Sequence, residues 1–226
     1  MIPGTIPMFS AGGGPSDFEF FTASGTFNVP ATVSEVWVFL AGGGGGGGGV
    51  IMGGTDQGVG TSGPGGYGGL SVGYVSVTSG SSISVTVGAG GNGSNGNYPG
   101  YNGGTSNFGA YMSATGGQGG GDRTNPYTGA SGTGSGGSIL NSNISTGSWA
   151  TVINNMLANW AGDVDYSDIN VLKNDSTTSY NASLYAQQWT TAQTVYRPGT
   201  RGLGTTGYTS FGRGGFEGVC LVAWNV

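Results

Sequence analysis

Residues 41–50 read AGGGGGGGGV, and the eight glycines Gly42, Gly43, Gly44, Gly45, Gly46, Gly47, Gly48 and Gly49 follow directly on the apolar run VSEVWVFL. Ordering a glycine costs roughly 0.5–1 kcal/mol more than ordering an alanine, so a structured run of eight carries an extra ~4–8 kcal/mol with no side chain to bury in return. A flexible linker would avoid that cost by staying disordered. The rest of the chain argues against a linker.

Glycine supplies 53 of the 226 residues and proline 8, a low-complexity composition. Yet Tyr, Phe and Trp number 11, 9 and 5, and charged residues make up only 7%. Disordered segments have the opposite balance, poor in aromatics and rich in charge, so the glycine reads as structural. The polyproline-II conformation gives an ordered glycine run a way to recover its cost. It is a left-handed threefold helix with no internal hydrogen bonds, and its N–H and C=O groups point outward in three directions. Bare of side chains, such helices can pack laterally and bond to one another, and an octaglycine would span ~25 Å. One run alone is useless, because its outward groups need partners. GPGGYGG, GAGGNGSNG, GYNGG, GGQGGG and GASGTGSGG supply further runs. No strict G-X-Y period is present, which excludes collagen. The expected fold class is mainly β: short sheets of strands capping a bundle of packed poly-glycine-II helices, with a small, partly helical insertion.

Strand signals separate the glycine runs. SGTFNVP and TVSEVWVFL read as strands. In the second, Val36, Val38 and Leu40 alternate with Glu35, Trp37 and Phe39, so both faces are largely apolar and covered. LSVGYVSVT, the turn SGSS and ISVTV predict a hairpin, with Val72, Tyr74, Ile83, Val85 and Val87 on one buried face. NFGAYMSAT predicts one short strand. FEGVCLVAW closes the chain with a strand apolar on both faces. Residues 1–17, punctuated by Pro and Gly, read as an extended attachment arm; 18–137 form the first part of the glycine-rich domain and 199–226 its return.

Residues 138–198 change period and hold only Gly147 and Gly162. Trp149, Val152, Ile153, Met156, Leu157 and Trp160 make one helical face, with Ser148 as N-cap and Gly162 as C-cap. Leu184, Gln188, Trp189, Ala192 and Val195 suggest a second helix. The block is read as an insertion of two helices.

The net charge is −5, and Arg123, Lys173, Arg197, Arg201 and Arg213 are scattered, so no basic patch suits a nucleic acid. Histidine is absent and Cys220 is the single cysteine, which leaves no internal disulfide and no Cys/His zinc set. No run reaches the ~18 apolar residues of a membrane helix. The start lacks the basic and apolar regions of a signal peptide, so a cleaved leader is not expected. Catalysis by a Ser–His pair is impossible without histidine. A phosphate-cradling loop lacks its lysine, and no carboxylate pair stands in a marked context. Neither enzymatic activity nor a cofactor is expected.

VWVFLAGGGGGGGG, GPGGYGGL, SVTVGAGGNG, NGGTSNFGAYMSATGGQGGG and the closing GFEGVCLVAW resemble the glycine-rich domain at the ends of bacteriophage tail fibres. The receptor-recognising adhesins of T-even-like phages use the same design. The resemblance covers residues 18–137 and 199–226. It implies a rigid poly-glycine platform whose loops touch the host surface, and so a virion protein, made in the host cytoplasm, that recognises an outer-membrane protein or glycan. Its other partners would be virion fibre or tail proteins, with a homotrimer as one assembly. A structural fibre or capsid-decoration subunit without receptor contact is the alternative. Polysaccharide cleavage and ice binding are further uses of such chains, but the irregular tyrosine-bearing loops do not give the flat repeat that ice requires.

Candidate contact residues are the loop tyrosines Tyr98, Tyr101, Tyr127 and Tyr208, which offer area and a hydroxyl at low entropy cost. Tyr166, Tyr180 and Tyr185 are candidates within the insertion, where Trp149, Trp160 and Trp189 read as helix packing. Asp163, Asp165 and Asp168 are a weak calcium candidate; they lack the glycine and distal glutamate of an EF-hand loop, and a solvated, capped loop is the favoured reading.

Overall fold

The computed structural model describes residues 17–51, 60–143, 206–207 and 209–225. All of these belong to one unit of the chain. The strands, in chain order, are β1 Asp17–Phe21, β2 Gly25–Asn28, β3 Glu35–Ala41, β4 Val50–Ile51, β5 Gly60–Thr61, β6 Gly69–Ser76 and β7 Ser82–Thr86. They continue with β8 Ser106–Phe108, β9 Met112–Ala114, β10 Gly134–Ser135, β11 Leu140–Asn143, β12 Thr206–Gly207, β13 Thr209–Ser210 and β14 Val219–Trp224. Two five-stranded sheets, β1-β14-β3-β6-β11 and β10-β9-β8-β7-β2, are antiparallel throughout. No helix occurs among the described residues. The two helices expected within 138–198, at 148–162 and 181–196, lie outside them. Residues 140–143 form β11, which pairs with β6, so the strand-forming chain runs past the expected boundary at 138.

The sheets share one core. Val36, Val38 and Leu40 of β3 and Cys220, Val222 and Trp224 of β14 meet Phe27, Ile83, Val85, Phe108, Met112 and Ala114 of the other sheet. Phe27 is wholly buried, with its ring 5.1 Å from Trp224 and 6.0 Å from Phe108. Both faces of β3 and β14 are buried, as their two-sided apolar sequences predict. Burial, reinforced by Glu19, pushes the Cys220 thiol far above its usual range, so it is a packing group.

Two expectations are corrected. LSVGYVSVT and ISVTV do not pair: β6 lies between β3 and β11, while β7 lies between β2 and β8 in the opposite sheet. The chain crosses between sheets at residues 77–81, held by Val77 N to Ser34 O (2.9 Å), Gly80 N to Val29 O (3.1 Å) and Val29 N to Ser81 O (2.8 Å). Gly80 takes φ 73° there, in the left-handed region open to glycine. Val75 and Val77 therefore share the core with Ile83 and Val85, whereas Val72 is buried outside that cluster. NFGAYMSAT is not one strand but a hairpin, β8–β9, turning at Gly109 with φ 51°.

Seven strands continue into, or are entered from, glycine segments at one end of the sheets. Segment 42–49 follows β3 and 63–68 leads into β6; 88–94 follows β7 and 98–104 leads towards β8; 115–121 follows β9, 127–133 leads into β10 and 212–218 into β14. Within these segments hydrogen bonding recurs every third residue. Gly42, Gly45 and Gly48 donate to the carbonyls of Gly69, Gly66 and Gly63 (3.0, 2.9 and 3.0 Å). Gly43, Gly46 and Gly49 donate to Gly104, Tyr101 and Tyr98 (2.9, 2.9 and 3.2 Å), and Gly44 and Gly47 to Phe216 and Arg213 (2.8 Å each). In return, Gly43 and Gly46 accept from Gly117 and Gly120 (2.9 Å each), and Gly44 and Gly47 from Gly91 and Ser94 (2.8 and 3.0 Å). Segment 42–49 is thus the hub of five neighbours, and all eight of its glycines are buried. At a net of roughly 0.5–1.5 kcal/mol each, eight amide bonds return ~4–12 kcal/mol, the same order as the glycines' ordering cost.

Ser106 locks the junction between strands and segments. Its wholly buried hydroxyl donates to Ala41 O (2.6 Å) and accepts from Gly88 N (2.9 Å). Ser106→Ala would orphan both groups, so a loss of about 1–3 kcal/mol is expected, read as a fall in Tm of roughly 2–12 °C. An unchanged Tm would mean that the junction does not rely on this hydroxyl.

Candidate functional site

The segment ends remote from the sheets are joined by short loops. Residues 95–97 join two segments there, as do 122–126, and β4 and β5 pair there with β13 and β12. Side chains hold these turns. Asn97 clasps β4 at both ends of its carboxamide: Oδ1 accepts from Ile51 N (2.5 Å) and Nδ2 donates to Ile51 O (2.7 Å). Ser62 Oγ donates to Gly48 O (2.6 Å). Asp122 Oδ1 accepts from Thr124 Oγ1 (2.7 Å), Thr124 N (2.8 Å) and Asn125 N (3.0 Å). The Thr124 hydroxyl above all holds the Asp122 carboxyl below its ordinary range; burial opposes it, and the Asn125 and Thr124 amides add smaller lowering contributions.

On this end stand Ile51, Tyr98, Tyr127 and Phe211, all large apolar groups exposed to solvent. Tyr98 is 71% exposed, and its ring passes over Gly96, where a Cβ would come within 2.8 Å of it. Tyr127 is less exposed because its ring backs onto Gly121. The bonds from Gly49 N to Tyr98 O and from Gly121 N to Tyr127 O (2.8 Å) tie both backbones to ordered segments. Tyr101, 67% exposed, lies one step back along 98–104.

The structure therefore brings Tyr98 and Tyr127 to one end, places Tyr101 on the flank, and sets Gly42–Gly49 in the buried interior. Tyr166, Tyr180, Tyr185, Tyr208 and the triad Asp163, Asp165 and Asp168 lie outside the described residues. Among the described residues no three His, Cys, Asp or Glu side chains group as metal ligands. Sequence reading missed Phe211 and Ile51. A phenylalanine directly before GRGG is the same signal as a tyrosine in a glycine loop: an apolar ring with no neighbouring side chains to cover it. Ile51, flanked by Val50 and Met52, carries no such signal.

Among the described residues, this end offers apolar side chains and hydroxyls on a hydrogen-bonded backbone, with Asp122 and Arg123 side by side in one loop. A family model described as a glycine-rich domain matches residues 22–223. No curated protein matches the chain.

Proposed function

From the premise that the chain belongs to the glycine-rich domain family, we propose that it is a non-enzymatic adhesin of a bacteriophage fibre or tail tip. In this reading its glycine segments are poly-glycine-II helices forming a rigid bundle. The three-residue recurrence of lateral bonds supports that conformation, since a threefold helix presents every third amide to the same neighbour. Close backbone approach supports it too: a Cβ on Gly45 or Gly46 would strike the Gln118 or Asn92 carbonyl.

The observation that carries the adhesin reading is the placement of Ile51, Tyr98, Tyr127 and Phe211 together on the end remote from the sheets. Recognition residues concentrate on loops held by a rigid scaffold, and a grouping of exposed apolar side chains on one end marks an interaction surface more than single exposed rings do. The resemblance to tail-fibre tips adds the setting: a virion, a host receptor, and fibre proteins as the other partners.

Fluorescently labelled protein is expected to bind intact cells of some strains in a panel of Gram-negative bacteria. The combined variant Ile51→Ser, Tyr98→Ser and Phe211→Ser, with Tm preserved, should bind roughly tenfold or more weakly. Equal binding by that variant would overturn the assigned surface. Binding to fibre proteins but to no cells would make the chain a purely structural subunit.

A further inference from the structure

Segment 88–94 lies on the surface between 98–104 and 212–218. Tyr101 N and Gly104 N donate to Asn92 O and Ala89 O (2.9 and 2.7 Å) on one side. Gly212 N, Gly215 N and Gly218 N donate to Ser94 O, Gly91 O and Gly88 O (2.7, 2.8 and 2.8 Å) on the other. Every third residue, Ala89, Asn92 and then Asn95, is exposed, while Gly88, Gly91 and Ser94 are buried. That exposed row is the floor of a groove.

Tyr98 and Tyr101 form one wall. Their carbonyls both accept from segment 42–49, so they occupy successive positions of one row, ~9 Å apart at the threefold rise of ~3.1 Å per residue. A Cβ on Gly104, next in that row, would point at Ala89 N (2.8 Å), so the row leans over the floor. The facing wall holds Phe211, 58% exposed and level with Tyr98. Opposite Tyr101 stands Gly214, where a Cβ would meet only Gly91 O at 3.5 Å. The groove is open there, beside the second tyrosine.

We propose that this flank groove binds a neutral, linear glycan strand. Asn92, Asn95, Tyr98, Tyr101, Phe211 and Gly214 are uncharged, and the next rung of the Phe211–Gly214 row is the exposed carboxylate Glu217, which disfavours an anionic polymer. Asn92 and Asn95 make no side-chain hydrogen bond among the described residues. Each carboxamide both donates and accepts, as a sugar hydroxyl does. The ring faces cover the C–H faces of sugar rings at small entropy cost, and two rungs in line read an extended chain. A proline-rich peptide also fits aromatic grooves, but it offers carbonyls and few donors, leaving the floor's acceptors unused. The groove deepens the adhesin reading, resting on it for the source of the glycan and not for the groove itself.

The test uses the full chain against immobilised neutral O-chain and capsular polysaccharides purified from bacteria, with an oligoproline peptide in parallel. Wild-type protein should bind at least one polysaccharide, insensitively to salt. Tyr101→Ala should weaken binding roughly tenfold, as should Gly214→Trp, which fills the opening in free space. An Asn92→Ala variant, altered at an exposed side chain alone, guards against loss of fold. Polysaccharide binding unchanged in all three variants overturns the groove, and so does preference for oligoproline. Cell binding that survives these variants and is abolished by protease treatment of the cells would overturn the groove while leaving the adhesin reading intact. Failure to bind any cell or polysaccharide would overturn both.

Discussion

Gly46→Ala is expected to lower Tm by roughly 6–12 °C, although it adds one methyl group to a residue type with a poorer intrinsic propensity for order. The added Cβ would collide with the carbonyl of Asn92. That carbonyl cannot swing aside, because it accepts from Tyr101 N at 2.9 Å, and Gly46 N itself donates to Tyr101 O at 2.9 Å. Relieving the clash means separating segments 42–49, 88–94 and 98–104, which breaks lateral bonds as well as overpacking the interior. Together these cost about 3 kcal/mol or more. The control is Gly214→Ala, whose Cβ enters open space; it should stay within about 0.5 kcal/mol of wild type. Thermal unfolding of the two variants decides the matter. If both behave alike, the segments do not pack backbone to backbone.

The second large effect should come from the other interior. Phe27→Ala removes a wholly buried ring that bridges the sheets, touching Trp224 from one and Phe108 from the other. Its neighbours sit on paired strands and cannot close the void, so a loss of about 3–5 kcal/mol is expected, or roughly 6–20 °C in Tm. Denaturant titration and calorimetry should agree on that loss. A small effect would mean that the sheets close over the gap and carry little of the stability. The two variants fail in opposite ways, one by adding volume where none is available and the other by removing it.

Several features were legible from residues alone. VWVFLA and VCLVAW are apolar on both faces, and both strands are buried on both faces. Tyr98 and Tyr101 stand in a glycine-rich stretch with few side chains to cover them, and both are exposed. Other features could not be read. Alternation in LSVGYVSVT and ISVTV says that each strand has a buried row but not which strand edge it bonds to. The crossing at 77–81 is fixed by Val29 and Ser34, nearly fifty residues upstream. Ser106 looked like one serine among many, and only its burial between Ala41 O and Gly88 N gives it a role.

What the sequence determined by itself was local: where the chain is β, where it is bare backbone, and that bare backbone must find partners. What tertiary structure decided was which segment meets which, and in what register. The reason is that every glycine in a run offers the same N–H and the same C=O, so Gly42–Gly49 contains nothing to tell one neighbour from another. That choice is imposed from outside the run, by side chains packing between the sheets and aligning the strands into which the segments lead.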